Sequence, residues 1–245
     1  AAVLGAIAGG AVTLSVQGGV TYVTHLTPSI IIQSALAAAA VSGIGLVDDM
    51  ETGMFDKTLI SPMNRSAMFI GKALSEVVRI TAQTGIIIGL GYLLLVLKSG
   101  TKAGQYLQTG LFGILGIFVV TIIFGGVFMA YSNIVALVTR DREATVMIAN
   151  LLTFPLLFIS SAFLPLDVLP SWIQAVAVAN PITYGVDAIR ALMLGQDVMT
   201  VVEVTAFAGL WNTVVPAIAV LLGFNFLLGG TAIALLKRAS RAEVQ

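Results

Sequence analysis

Two acid–base pairs stand out along this chain. Glu76 and Arg79 are three residues apart, and so are Asp187 and Arg190. On a helix that spacing puts both members on one face, within reach of each other. For Glu76 and Arg79 two readings are open. They form a structural pair at the cytosolic start of a span, where Arg79 can snorkel toward water, or they touch a substrate or gate. For Asp187 and Arg190 the choice is between a mutual salt bridge and a contact with a substrate or a neighbouring subunit.

Other reactive chemistry is scarce. The chain has no cysteine, so no thiolate, disulfide or Cys-based metal site is available. His25 is the one histidine, which leaves no His cluster for a metal and no supported Ser-His-Asp set. At the outer end of a span, His25 reads as a surface or interfacial residue. The stretch SAMFIGKALS approaches a phosphate-binding loop around Gly71 and Lys72. Such a loop needs a glycine five residues before the second one and a hydroxyl after the lysine. Ser66 and Ala73 stand there instead, so ATP is not expected to bind through this stretch. The sequence therefore reads as a non-enzyme.

The elements that hold these residues are set by the solvent. Of 245 residues, 58% are hydrophobic and 10% charged, with a mean hydropathy of +1.02. Soluble domains carry about 25% charged residues. This is the composition of a polytopic, all-α membrane protein forming one transmembrane domain over 1–245. The zero net charge gives no electrostatic footprint for nucleic acid. Charge-free runs cover 1–47, 80–97, 103–139, 144–166, 168–186 and 204–236. About 20 apolar residues cross a bilayer. His25, Thr27 and Pro28 break the first run, giving spans at 1–20 and 28–47. Further spans follow at 73–97, within 107–138, at 144–163 and at 206–236, six in all. The chain opens on Ala1-Ala2 without a charged start, and residues are expected to precede it, so that the first span is truncated.

Segment 164–205 differs from the rest. Pro170 and Pro181 break it, and it carries Trp172, Asn180 and Tyr184 beside Asp187 and Arg190. We read it as a re-entrant helical hairpin on the outer side, tolerated where protein or a water-filled cavity satisfies the backbone. Trp172 and Tyr184 suit either interfacial anchoring or gating. Charge counting supports the hairpin. If 48–79, 139–143 and 237–245 face the cytosol, that side holds Lys57, Arg65, Lys72, Arg79, Arg140, Arg142, Lys237, Arg238 and Arg241, nine of twelve basic residues. A full span at 168–186 would put the basic C-terminus outside.

The cytosolic island DDMETGMFDKTLISPMNR, residues 48 to 65, reads as a short amphipathic helix from Glu51 to Ile60, stopped by Pro62. Met54, Phe55, Thr58 and Leu59 share one arc. Asp48, Asp49 and Glu51 are expected at its N-terminus, where the helix dipole favours acids. Surface-lying lipid helices are rich in Lys and Arg, and this one holds only Lys57, so a protein partner fits better than lipid. Gly85-x-x-x-Gly89 and Gly5-x-x-x-Gly9 read as sites of close internal helix packing.

Two stretches carry a family resemblance. One is Glu51-x-Gly53-x-Phe55-Asp56-x-x-Leu59-Ile60-Ser61-Pro62, then Arg65 and Gly71-Lys72. The other is Phe163-x-Pro165-Leu166-x-x-Leu169-Pro170-x-Trp172, then Asn180-Pro181-x-Thr183-Tyr184 and Asp187-x-x-Arg190. Together with the order of spans, they make the chain resemble the membrane subunit of type 2 ATP-binding-cassette exporters. It departs from the family pattern at Met50, Met54 and Thr58, where Arg, Thr and Leu are common.

The resemblance implies a multi-pass permease of the cell membrane with a cytosolic C-terminus. It implies pairing with a second copy or homologue and with separate ATPase subunits, which would bind ATP and Mg²⁺. Loop 48–72 would carry the coupling helix that docks on the ATPase, through Glu51, Gly53, Met54, Phe55, Thr58, Leu59, Ser61 and Pro62. The outer gate would comprise Phe163, Pro165, Pro170, Trp172, Asn180, Pro181, Tyr184, Asp187 and Arg190. Uncharged spans suggest a hydrophobic or amphipathic cargo. The competing reading is a secondary transporter or channel that needs no ATPase; it usually wants charges at mid-membrane. A membrane-embedded enzyme is the third, and it lacks a convergent set of acids or histidines.

Overall fold

The computed structural model describes residues 22–53, 65–99, 107–163, 166, 169–202 and 205–242. Among them are seven helices and no strand: α1 (Tyr22–Glu51), α2 (Arg65–Ser99), α3 (Gly110–Thr139), α4 (Arg142–Phe158), α5 (Ser171–Ala177), α6 (Pro181–Leu194) and α7 (Trp211–Ala242). Four of these helices are long and apolar enough to cross a bilayer, at Leu26–Glu51, Gly71–Leu94, Gly110–Thr139 and Trp211–Leu235. The chain is a multi-pass membrane protein. The expected span at 144–163 corresponds to α4, which has 17 residues and a length of about 25 Å. The expected span at 1–20 lies outside the described residues.

Local chemistry explains where the helices stop. No charge interrupts α3 until Arg140, which takes a left-handed φ of 50° and donates its N–H to Ala136 O at 2.9 Å. Asp141 then caps α4 by accepting the Ala144 N–H at 2.7 Å, and Glu143 adds an acid to the first turn. The Thr139 and Thr145 hydroxyls meet across this turn at 2.7 Å. Asn180 caps α6, its side chain accepting the Ile182 N–H at 3.0 Å, with Pro181 as the first helical residue.

The central element is α3, against which α1, α2, α4, α6 and α7 all pack. Buried Phe124, Ile117 and Val120 from α3 share one core with Ile31 and Ile32 of α1, Ile189 and Leu192 of α6, and Leu221 of α7. Every residue of α6 from Pro181 to Met193 is buried. At one end of α3, Gln108 N–H donates to Met193 O at 2.9 Å, and Thr109 Oγ1 donates to Leu192 O. At the other end Leu46, Val47, Ala136 and Leu137 form a small core with Met50 and Leu235. The C-terminal ends of α1, α3 and α7 therefore share one side of the bundle, and the α5–α6 pair lies near the opposite end of α3.

Three expectations are corrected. Helix α1 runs unbroken through Pro28. Spanning helices tolerate proline where neighbours and hydroxyls satisfy the freed groups; next to it Ser29 Oγ donates to Ala162 O. Asp48, Asp49 and Glu51 form the C-terminal turn of α1 instead of starting a new helix. A turn at Thr52 and Gly53 follows, with Gly53 at φ 66° and its N–H on Met50 O at 3.2 Å. Among the described residues Gly85 and Gly89 make no close packing contact: a Cβ at Gly85 would lie 3.8 Å from Phe118, and one at Gly89 would meet none of them within 4 Å. The close approaches fall at Gly43, Gly113, Gly116, Gly125, Gly126 and Gly185. Segment 168–186 holds two helices with a turn at 178–180 before Pro181, in keeping with the proline break expected there.

Candidate functional site

The α5–α6 segment is built around a buried acid–base pair. Asp187 is fully buried and Arg190 is 6% exposed; their side chains approach to 3.4 Å. Asp187 Oδ1 also accepts from Ser161 Oγ at 2.7 Å. Its Oδ2 accepts from Thr200 Oγ1 at 2.6 Å and Thr200 N–H at 3.0 Å. Arg190 donates to Ser161 O at 3.0 Å. A buried carboxylate is tolerable only with this many donors. The cluster ties the turn after α4 to α6 and to the loop that follows it.

That loop has a second fixing point. Asp197 accepts from Thr213 Oγ1 at 2.6 Å, and Thr213 Oγ1 accepts the Val198 N–H at 3.0 Å. Burial is the largest single influence on the Asp197 carboxyl and raises it; hydrogen bonds from Thr213, the Met199 N–H and Asn212 together outweigh this and hold it below the ordinary carboxylate value. Thr213 lies in the first turn of α7, so hydrogen bonds link the end of α4, the hairpin and the head of α7.

The remaining hairpin residues sort by environment. Asn180 donates to Leu156 O at 2.6 Å, and Tyr184 OH donates to Val178 O at 2.8 Å. Tyr184 is 4% exposed and closes the hairpin from within, whereas Trp172 is 63% exposed. Phe163 is exposed and stacks at 5.7 Å on Phe158. Pro170 is exposed and precedes α5, and Pro181 is buried. Pro165 lies outside the described residues.

On α2, Arg79 and Glu76 approach to 3.1 Å. The Glu76 side chain is 6% exposed and that of Arg79 39%, so the acid faces protein and the base reaches outward. One turn further, Gln83 Oε1 accepts from Ser34 Oγ of α1 at 3.1 Å. Gly71 and Lys72 sit inside α2, not in a loop. Of the coupling residues, Glu51 and Gly53 lie at the end of α1; Met54, Phe55, Thr58, Leu59, Ser61 and Pro62 lie outside the described residues. Ser161, Thr200, Asp197 and Thr213 were missed from sequence, since isolated Ser, Thr and Asp carry no periodic signal.

Comparison with known proteins places this architecture. The family model described as ABC-2 type transporter matches residues 1–194. The chain is 28% identical over 174 residues to the daunorubicin resistance ABC transporter permease protein DrrB1 of Streptomyces coeruleorubidus, covering 71% of this chain and 58% of that one. It is 26% identical over 192 residues to "Probable doxorubicin resistance ABC transporter permease protein DrrC" of Mycobacterium tuberculosis, covering 76% and 66%. It is 22% identical over 201 residues to "Probable multidrug ABC transporter permease YbhR" of Escherichia coli, covering 81% and 49%. The matches thus span from about half to two thirds of these relatives' lengths. With a family match over most of its length and an all-helical, multi-pass fold, the chain belongs to the ABC-2 type transporter family.

Proposed function

We propose that the chain is the transmembrane subunit of an ATP-driven exporter and forms the path for a hydrophobic or amphipathic cargo. Six spans would cross the cell membrane, with α4 as the fifth and the α5–α6 pair as a re-entrant element on the outer side. The C-terminus would face the cytosol. Separate ATPase subunits would hold ATP and Mg²⁺, and a second copy or homologue would complete the path. The observation that carries this reading is the family match to drug-resistance permeases on a fold whose charged segments, 48–53 and 139–143, gather at one end. Exposed Met147, Leu151, Phe154 and Phe158 on α4 offer an apolar surface to a second permease.

Segment 48–72 would then dock on the ATPase through Met54, Phe55 and Leu59. In membranes carrying the full complex, Phe55→Asp and Leu59→Asp are each expected to weaken ATPase association by about 30-fold, the effect of losing roughly 2 kcal/mol at an interface anchor. Copurification and ATP hydrolysis of the complex read this directly. Unchanged association and hydrolysis in both variants would sink the docking assignment.

A further inference from the structure

The cytosolic end of the bundle carries a charge arrangement that helix stability does not explain. Asp48, Asp49 and Glu51 occupy the last turn of α1, which has no basic residue. A helix C-terminus is the negative end of the dipole and disfavours acids. Arg142 is the first residue of α4, the positive end, which disfavours a cation. Both charges stand against the preference of their own helix, and they meet each other: Arg142 Nη1 lies 3.2 Å from Asp48 Oδ1. One residue on, Asp49 pairs with Lys72 of α2, whose Cε and Nζ pass over Gly45 of α1.

The side chains of these pairs are between 26% and 61% exposed. Water-accessible pairs add little to stability, so holding the fold together is a poor reason for them. Their connectivity is more telling. Asp49 and Lys72 join the end of α1 to the early turns of α2. Asp48 and Arg142 join that end of α1 to α4, which buries only Thr145, Ala149 and Leu157. At its far end α4 is tied to the hairpin by Asn180 on Leu156 O, and the turn after it by Ser161 on Asp187.

We propose that the Asp48–Arg142 and Asp49–Lys72 pairs are the joint through which a push by the ATPase on the adjoining ends of α1 and α2 reaches α4 and, along it, the outer hairpin. This rests on the reading of segment 48–72 as the ATPase contact. Asp48, Asp49, Lys72 and Arg142 are positioning residues that transmit displacement without touching cargo or nucleotide.

The helix-end placement supplies the test. Exchanging the charges, Asp48→Arg with Arg142→Asp, keeps the pair and gives each helix end the sign its dipole favours, so the double variant should fold at least as well as the parent. The chain has no cysteine, so Val178→Cys, exposed on the hairpin, is a unique label site in it. The full complex with its ATPase is reconstituted in liposomes and treated with a membrane-impermeant maleimide, with and without ATP plus vanadate. With the native pair, nucleotide should change the labelling rate at Val178→Cys several-fold. Either single reversal should abolish that change, and the exchanged pair should restore it. A response that survives both single reversals, or that the exchange fails to restore, overturns the joint. Phe55→Asp separates the two ideas. If it abolishes the response while the reversals do not, the loop reading stands and the joint falls. If Phe55→Asp preserves the response, the loop reading itself falls.

Discussion

Asp187→Ala is expected to destabilise the protein by about 3–5 kcal/mol, because it strands Arg190 as a buried charge without its partner. The carboxylate is fully buried and accepts from Ser161, Thr200 and Arg190. Removing it leaves three sets of donors facing a void. For a chain of this size the loss corresponds to a fall in unfolding temperature on the order of 10 °C, measurable by thermal unfolding of the purified protein. Arg190→Ala should cost a similar amount, since it isolates Asp187. The double change Asp187→Leu with Arg190→Met removes both charges and should be milder than either single, as replaced buried pairs often are. The loop after α6 should become more open to protease in Asp187→Ala, because Thr200 is anchored there by side chain and backbone alike. An unfolding temperature equal to that of the parent would show that the pair does not hold the hairpin. The geometry already favours an internal brace over a cargo contact, since no surface of Asp187 is accessible.

The contrast between what the sequence revealed and what it hid follows the range of each interaction. Long apolar runs declare spanning helices because one helix satisfies its own backbone, so α3 was readable nearly to its ends, whereas α2 begins at Arg65, eight residues before the expected 73, and α7 at Trp211, five after the expected 206. The turn at 139–143 was equally plain, being charged and short. Pro28 misled because local propensity disfavours proline in a helix, while neighbouring helices decided otherwise. The acids at 48–51 misled in the opposite sense: dipole logic assigned them to a helix start, and they end a helix instead, with Asp49 and Asp48 held there by Lys72 and Arg142 from elsewhere. The hairpin's acid–base pair was visible as an i, i+3 spacing. Its supporting hydroxyls were not, since Ser161 and Thr200 reach Asp187 across 26 and 13 residues. Glycine spacing pointed to Gly85 and Gly89, yet that face of α2 is exposed.

The close contact that replaces it gives the other large effect: Gly43→Ala is expected to separate α1 from α3. A Cβ at Gly43 would overlap the Ser132 side chain and its backbone carbonyl, with the carbonyl carbon 2.7 Å away. Backbone cannot rotate aside as a side chain can, so the helices themselves must move. The same contact carries hydrogen bonds. Gly43 N–H donates to Ser132 Oγ at 3.1 Å, Ser132 Oγ donates to Ala40 O at 2.9 Å, and Ser42 Oγ donates to Asn133 Oδ1 at 3.3 Å. Overpacking alone costs about 1–3 kcal/mol, and the lost hydrogen bonds add about 1 kcal/mol each. Gly89→Ala is the control. It puts the same methyl in mid-helix where none of the described residues lies within 4 Å, and it should be neutral or stabilising by up to about 1 kcal/mol. Thermal unfolding of the two variants side by side checks the pair. Adding Ser132→Ala to Gly43→Ala should not rescue it, because the overlap with the carbonyl remains. Equal unfolding temperatures for Gly43→Ala and Gly89→Ala would mean that the α1–α3 contact has room to spare and does not set the helix spacing.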